Sequence, residues 1–249
     1  MFRYFEIQSG GDLIRCKLYC NSEIRRVVVF GHGFAGHKDN GSAEKFAHTL
    51  LTKYKDAALM TFNWPCHGDD VKKKIVLEDC GTYLAAVTDY IKTRLHVENI
   101  YAYATSFGGY LFLKYISDHG NPFRKMALRC PAVNMYDVLT KNIMKPDEYE
   151  KIQKGKPTLV GFDRKIQITR QFLSDLQEAD IRQVSFLAFA DDLLILHGTE
   201  DEIVPYAASR QFAENNVIAF VPVEGADHRF IDARKMAAAT KTVLEFFEL

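Results

Sequence analysis

The sequence predicts an α/β fold: a mostly parallel, doubly wound sheet with a helical cap insertion. Three observations predict it. Short apolar runs rich in valine, isoleucine and phenylalanine alternate with amphipathic stretches of helical length. Strands and helices in that order imply right-handed crossovers, hence parallel strands covered on both faces. The rhythm breaks only once, between residues 131 and 184, over a stretch too long for an ordinary connection.

Taken in order, residues 2–8 and 13–20 read as two strands joined at Gly10-Gly11, where glycine eases a tight turn. "RRVVVFGHGF" is a buried strand entering a glycine-rich loop, and "SAEKFAHTLLTKY" has helical spacing with Ser42 as its expected cap. "AALMTFNW" is a strand, and "LEDCGTYLAAVTDYIKTRL" is a helix with apolar residues three and four apart. Strand "NIYAYAT", a helix from Phe107 to about Ser117 and strand "KMALRC" follow. After the break come strand "LLILHG", helix "YAASRQFAEN", strand "VIAFVPV" and a closing helix over 233–247. The core is therefore expected over 1–130 and 185–249. Residues 131–184 form the cap, with helical pieces "YDVLTKNIM" and "KIQITRQFLSDL" and no strand of the main sheet.

Composition narrows the function classes. A chain of 249 residues, 47% hydrophobic, is ample for one sizeable core. Lys+Arg 32 balances Asp+Glu 32, so no global charge draws the chain to nucleic acid or to an anionic membrane. The run Lys72-Lys73-Lys74 is a short solvated face. No apolar run approaches the length of a membrane span, and the first residues do not read as a signal peptide. Cys16, Cys20, Cys66, Cys80 and Cys130 have neither zinc-site spacing nor a disulfide pattern, which fits thiols in a reducing cytoplasm. A cytoplasmic protein needing no metal or organic cofactor is expected. An apolar patch on the cap or an exposed edge strand could support a homodimer.

Ligands of doubly wound sheets gather at the carboxyl ends of the strands, so the reactive residues just after each strand matter most. Ser106 lies between a strand and a helix in "ATSFG", where small residues two before and two after it let the two elements pass closely. It reads either as a nucleophile on a sharp turn or as a helix-capping serine. "FGHGFAG" follows the strand "VVVF", where backbone N–H groups can meet the negative charge that develops in acyl transfer. The amides of Phe34 and Phe107 are the expected donors, and His32 is expected to shape the loop rather than act as a base. In "LHGTEDEIVP", Asp201 can orient a histidine, while Glu200 and Glu202 read as surface acids. Asp191 and Asp192 precede their strand and belong at the opposite end of the sheet. His228, in "VEGADHRF", comes last in the order Ser, Asp, His and can carry a proton between nucleophile and leaving group.

These segments resemble the α/β-hydrolase-fold serine hydrolases, in particular the small bacterial esterases that include the cinnamoyl (feruloyl) esterases, with relatives among monoglyceride lipases and thioesterases. "VVVFGHGFAGHK", "NWPCHGDD", "ATSFGGYL", "LLILHGTEDEIVP" and "VEGADHRF" carry the likeness over nearly the whole chain. The resemblance implies Ser106 as nucleophile, His228 as base, Asp201 as acid, and the Phe34 and Phe107 amides as oxyanion hole. Two departures stand out: Ala104 where a glycine is usual, and Phe107 where the cinnamoyl esterases commonly have glutamine. The second places an aromatic ring near the substrate without removing the amide. Cap aromatics Tyr136, Tyr149 and Phe162 either contact an acyl or aromatic group or pack the cap onto the sheet. The expected activity is hydrolysis of a small-molecule carboxylic ester through an acyl-enzyme. Thioester, acyl-transfer or peptide chemistry with the same triad, and a non-catalytic binding protein on the same fold, are the alternatives.

Overall fold

In the computed structural model, which describes residues 1–21 and 23–249, eight strands form one sheet in the order β1-β2-β4-β3-β5-β6-β9-β10. β1 (Phe2–Ser9) and β2 (Asp12–Cys20) form a hairpin whose turn glycines take φ of +56° and +91°. β2 pairs antiparallel with β4 (Ala57–Phe62), and the six strands from β4 to β10 run parallel. β3 (Arg26–Gly31) and β5 (Asn99–Thr105) lie side by side in the middle.

Side chains leave a strand alternately to its two faces. Val27 and Val29 therefore join one hydrophobic cluster, and Val28 and Phe30 join the other. The first face is covered by α2 (Leu77–Arg94), α3 (Phe107–His119) and α7 (Tyr206–Asn216), and the second by α1 (Gly41–Lys53) and α8 (Ala233–Phe247). From β3 the chain crosses through α1 to β4 on one side, and from β5 through α3 to β6 (Met126–Arg129) on the other. The connections diverge between β3 and β5, which opens a crevice above their carboxyl ends. The loop after β3 and Ser106 after β5 both sit there.

Between β6 and β9 (Leu193–Gly198) no strand joins the main sheet. A short helical turn α4 (Met135–Asp137) runs into a π-helical turn Val138–Ile143, followed by α5 (Pro146–Gln153). Then β7 (Thr158–Gly161) and β8 (Lys165–Ile168) form a separate antiparallel hairpin, and α6 (Arg170–Glu178) closes the segment.

The structure corrects three local expectations. Asn40, not Ser42, caps α1: its Oδ1 accepts the amides of Ser42 (2.8 Å) and Ala43 (3.3 Å). The first four residues of the helix expected over "KIQITRQFLSDL" are strand instead. Ile166 and Ile168 point inward with period two in β8, and the Thr169 hydroxyl accepts the Phe172 amide (3.2 Å) to start α6. β10 (Ala219–Val223) begins two residues late, because Val217 caps α7 in a left-handed conformation (φ +57°).

Candidate active site

Ser106 has φ +54° and ψ −121°, a conformation that a residue with a Cβ adopts only under constraint. The constraint is visible in its backbone. Its amide donates to the Arg129 carbonyl (3.0 Å) and its carbonyl accepts from Tyr110 (3.2 Å) and Ala132 (3.1 Å). Close packing adds to it: a Cβ on Gly108 would lie 2.6 Å from the carbonyl oxygens of Gly31 and His32. The helix that follows can approach β3 only with hydrogen at that position. Ser106 makes no side-chain capping bond to α3, so its hydroxyl is not engaged in holding the helix. Ser106 occupies the N-cap position of α3 through its backbone alone, without the side-chain bond that a capping serine makes.

The loop after β3 packs directly against it. A Cβ on Gly33 would lie 3.2 Å from Ser106 Cβ and 3.7 Å from its Oγ. Gly36 donates back to the Gly33 carbonyl (3.0 Å), and Ala35 takes a positive φ of +59°, so the chain curls around Phe34. Among the described residues the Phe34 amide has no backbone acceptor. The Phe107 amide belongs to the first turn of α3, whose N–H groups have no partner within the helix. His32 holds this loop. Its buried ring donates through Nδ1 to the Gly33 carbonyl (2.9 Å) and accepts the Trp64 amide at Nε2 (3.4 Å). Burial, with His67 nearby, keeps it well below the ordinary imidazole range, so it stays neutral.

Asp201 and His228 meet across the loops after β9 and β10, with His228 Nδ1 donating to Asp201 Oδ2 at 2.8 Å. The Asp201 carboxyl is fully buried and saturated with donors. Oδ1 accepts the amides of Ile203 (2.9 Å) and Val204 (2.7 Å), and Oδ2 also lies 3.1 Å from His197 Nε2. Burial alone would favour the neutral acid, but the bonds from His197, His228 and the backbone outweigh it and hold the group far below the usual carboxylate range. Glu202 accepts the His228 amide (3.2 Å) from an exposed position, and Glu200 is exposed. Asp191 and Asp192 lie in the turn before β9, at the opposite end of the sheet.

Ser106, Gly33, Phe34 and His228 line one cleft of about 410 Å³. Ile143, Phe162, Asp163 and Arg164 of the insertion close its other side. The Phe107 ring does not reach the cleft as expected. It is fully buried, stacked near His67 (centroids 6.0 Å apart) and edge-on to Phe34 (5.8 Å). Tyr136 and Tyr149 also turn away: their hydroxyls meet at 3.3 Å and their rings pack on the core. Only Phe162 of the three cap aromatics faces the cleft, with the Arg229 guanidinium 5.8 Å from its ring centroid.

Two residues of this site were not anticipated. His197 is the last residue before Gly198 on β9, four positions ahead of Asp201, and that spacing was its signal. Arg129 is the only charged residue in the otherwise apolar β6, an oddity legible in "KMALRC".

Residues 62–249 match the prolyl oligopeptidase family. The chain belongs to that family of hydrolases. Its fold is the α/β-hydrolase fold, which it shares with solved structures along almost its full length. Est1E from Butyrivibrio proteoclasticus, solved with ferulic acid bound, is 22% identical with a TM-score of 0.79, over 98% of this chain and 100% of that one. A protein from Agrobacterium vitis S4 is 16% identical with a TM-score of 0.79, over 99% and 98%. A monoacylglycerol lipase from Paleococcus ferrophilus is 18% identical with a TM-score of 0.65, over 94% and 98%. No curated protein matches the chain. Among the described residues no helix is long and apolar enough to cross a membrane.

Proposed function

We propose that this protein hydrolyses small carboxylic esters through an acyl-enzyme formed on Ser106. The observation that carries the reading is the state of Ser106: strained, uncapped, at a helix N-terminus, and in the same cleft as a histidine held by a buried carboxylate. His228 removes the hydroxyl proton through Nε2, since Nδ1 is committed to Asp201. Oγ attacks the ester carbonyl, and the developing oxyanion is met by the amides of Phe34 and Phe107. The imidazolium, stabilised by Asp201, then protonates the leaving alcohol. Water, deprotonated by the same histidine, releases the acid. Residues 131–184 act as the cap that shapes the acyl-binding side. A cytoplasmic setting fits the five free thiols.

Peptide hydrolysis by the same residues is the second reading, favoured by the family match. A panel of p-nitrophenyl acetate and butyrate, acyl thioesters and aminoacyl p-nitroanilides separates the two. Ester turnover should exceed anilide turnover, and Ser106→Ala should lower it by about four orders of magnitude or more. Undiminished ester turnover in Ser106→Ala would refute the assignment.

A further inference from the structure

The cleft beside Ser106 is unusually cationic, and one of its charges is buried without a counter-charge. Arg129 is 7% exposed, yet among the described residues it makes no ion pair. Its Nη1 rests on the Met236 thioether (3.1 Å), its guanidinium lies 5.2 Å from the Phe230 ring centroid, and its Nε has no hydrogen-bond partner among the described residues. A buried guanidinium ordinarily sits against a carboxylate, because thioether and ring contacts recover little of its lost hydration. Arg129 is also fixed close to the chemistry. It pairs in register with Thr105, and its carbonyl receives the Ser106 amide. Arg164 and Arg229 stand exposed on the rim of the same cleft, where Asp163 is the one carboxylate among the lining residues. His37, also on this wall, is lowered by burial and by the Arg164 charge, which favours its neutral ring and leaves the arginines as the positive charges of the cleft.

We propose that Arg129, assisted by Arg164 and Arg229, binds a carboxylate on the substrate, so that the preferred esters are acidic ones with the carboxylate near the scissile carbonyl. A single buried guanidinium balances one negative charge and offers a planar fork to a carboxylate. The proposal rests on Ser106 being the nucleophile. It goes further by naming which acyl groups the cleft selects.

The test compares p-nitrophenyl hemiglutarate with p-nitrophenyl pentanoate, which has the same acyl length without the charge. The wild-type enzyme should favour the hemiglutarate in kcat/KM by at least about tenfold, the low end for a hydrogen bond to a charged group. Arg129→Met should bring that ratio close to one, chiefly by raising KM for the anionic ester. Arg129→Lys should keep a ratio between the two, and it carries the test if the methionine variant does not fold. Equal kcat/KM for both esters in the wild type, or a ratio unchanged by Arg129→Met and Arg129→Lys, overturns the proposal and leaves the esterase reading standing. Calorimetry on Ser106→Ala provides a readout without turnover, using monomethyl glutarate against methyl pentanoate. Tighter binding of the anionic ester there, lost in the Ser106→Ala/Arg129→Met double variant, supports the subsite even if the wild type cleaves neither nitrophenyl ester. That last result would instead overturn the esterase reading.

Discussion

Ala104 and Gly31 face each other across β5 and β3, and together they explain why a methyl is tolerated two residues before the serine. A Cβ on Gly31 would lie 3.3 Å from the Ala104 methyl and 2.6 Å from the Phe112 ring, so the space that Ala104 takes is the space that Gly31 leaves. The usual small residue has in effect moved to the neighbouring strand. Ala104→Gly should therefore leave ester turnover within a few-fold and cost roughly 1 kcal/mol from added backbone freedom. Gly108→Ala meets backbone oxygens that cannot step aside, and should lower stability by roughly 2 kcal/mol or more together with activity. Thermal melts and p-nitrophenyl butyrate turnover of the two variants check the contrast. Asp201→Asn should keep the fold but reduce kcat by about four orders of magnitude, because an amide can no longer hold the Nδ1–H tautomer of His228.

At the scale of elements, the loops after β3 and β4 are tied together by buried histidines, and this gives stability a pH dependence. His67 is fully buried, donates through Nδ1 to the Pro65 carbonyl (2.8 Å) and leaves Nε2 without a partner among the described residues. Burial is the main cause that lowers it from 6.5 to about 4. The unfolded chain then binds more protons than the folded one between those values. Stability is accordingly full above pH 6.5 and falls as the pH drops toward 4, by up to about 3 kcal/mol for this residue. His67→Asn, which keeps a donor near Pro65, should flatten the slope of Tm against pH over that window; an unchanged slope would show that His67 is not the titrating group. Elements also mark where the sequence was less legible. Strands and helices of the core follow from apolar periodicity, which is local. The start of α1 depends on an Asn40 side chain that no periodicity reveals, and β8 hides because "KIQI" runs without a break into a helical pattern. The Phe107 ring was expected at the cleft, but it sits on the core side of α3 among His67, Phe34 and Tyr110, a placement fixed by packing partners distant in sequence.

Across the whole molecule, the sheet order creates the site. The divergence of connections at β3 and β5 gathers the loop over residues 32–36 and Ser106 at one crevice, and β9 and β10 bring Asp201 and His228 toward it from the other edge. The placement of these candidate residues was readable from four short segments, because each lies in the loop or turn that follows its own strand. Arg129 and His197 were harder to see, since each is marked out by its surroundings: His197 by the Asp201 carboxylate, and Arg129 by having no carboxylate paired with it among the described residues. The most direct measurement of the central claim is covalent labelling with a fluorophosphonate, read by intact mass and peptide mapping. A single adduct on Ser106 is expected, absent in Ser106→Ala and formed far more slowly in His228→Ala. No adduct on the wild-type protein, or an adduct of equal extent in Ser106→Ala, would contradict it.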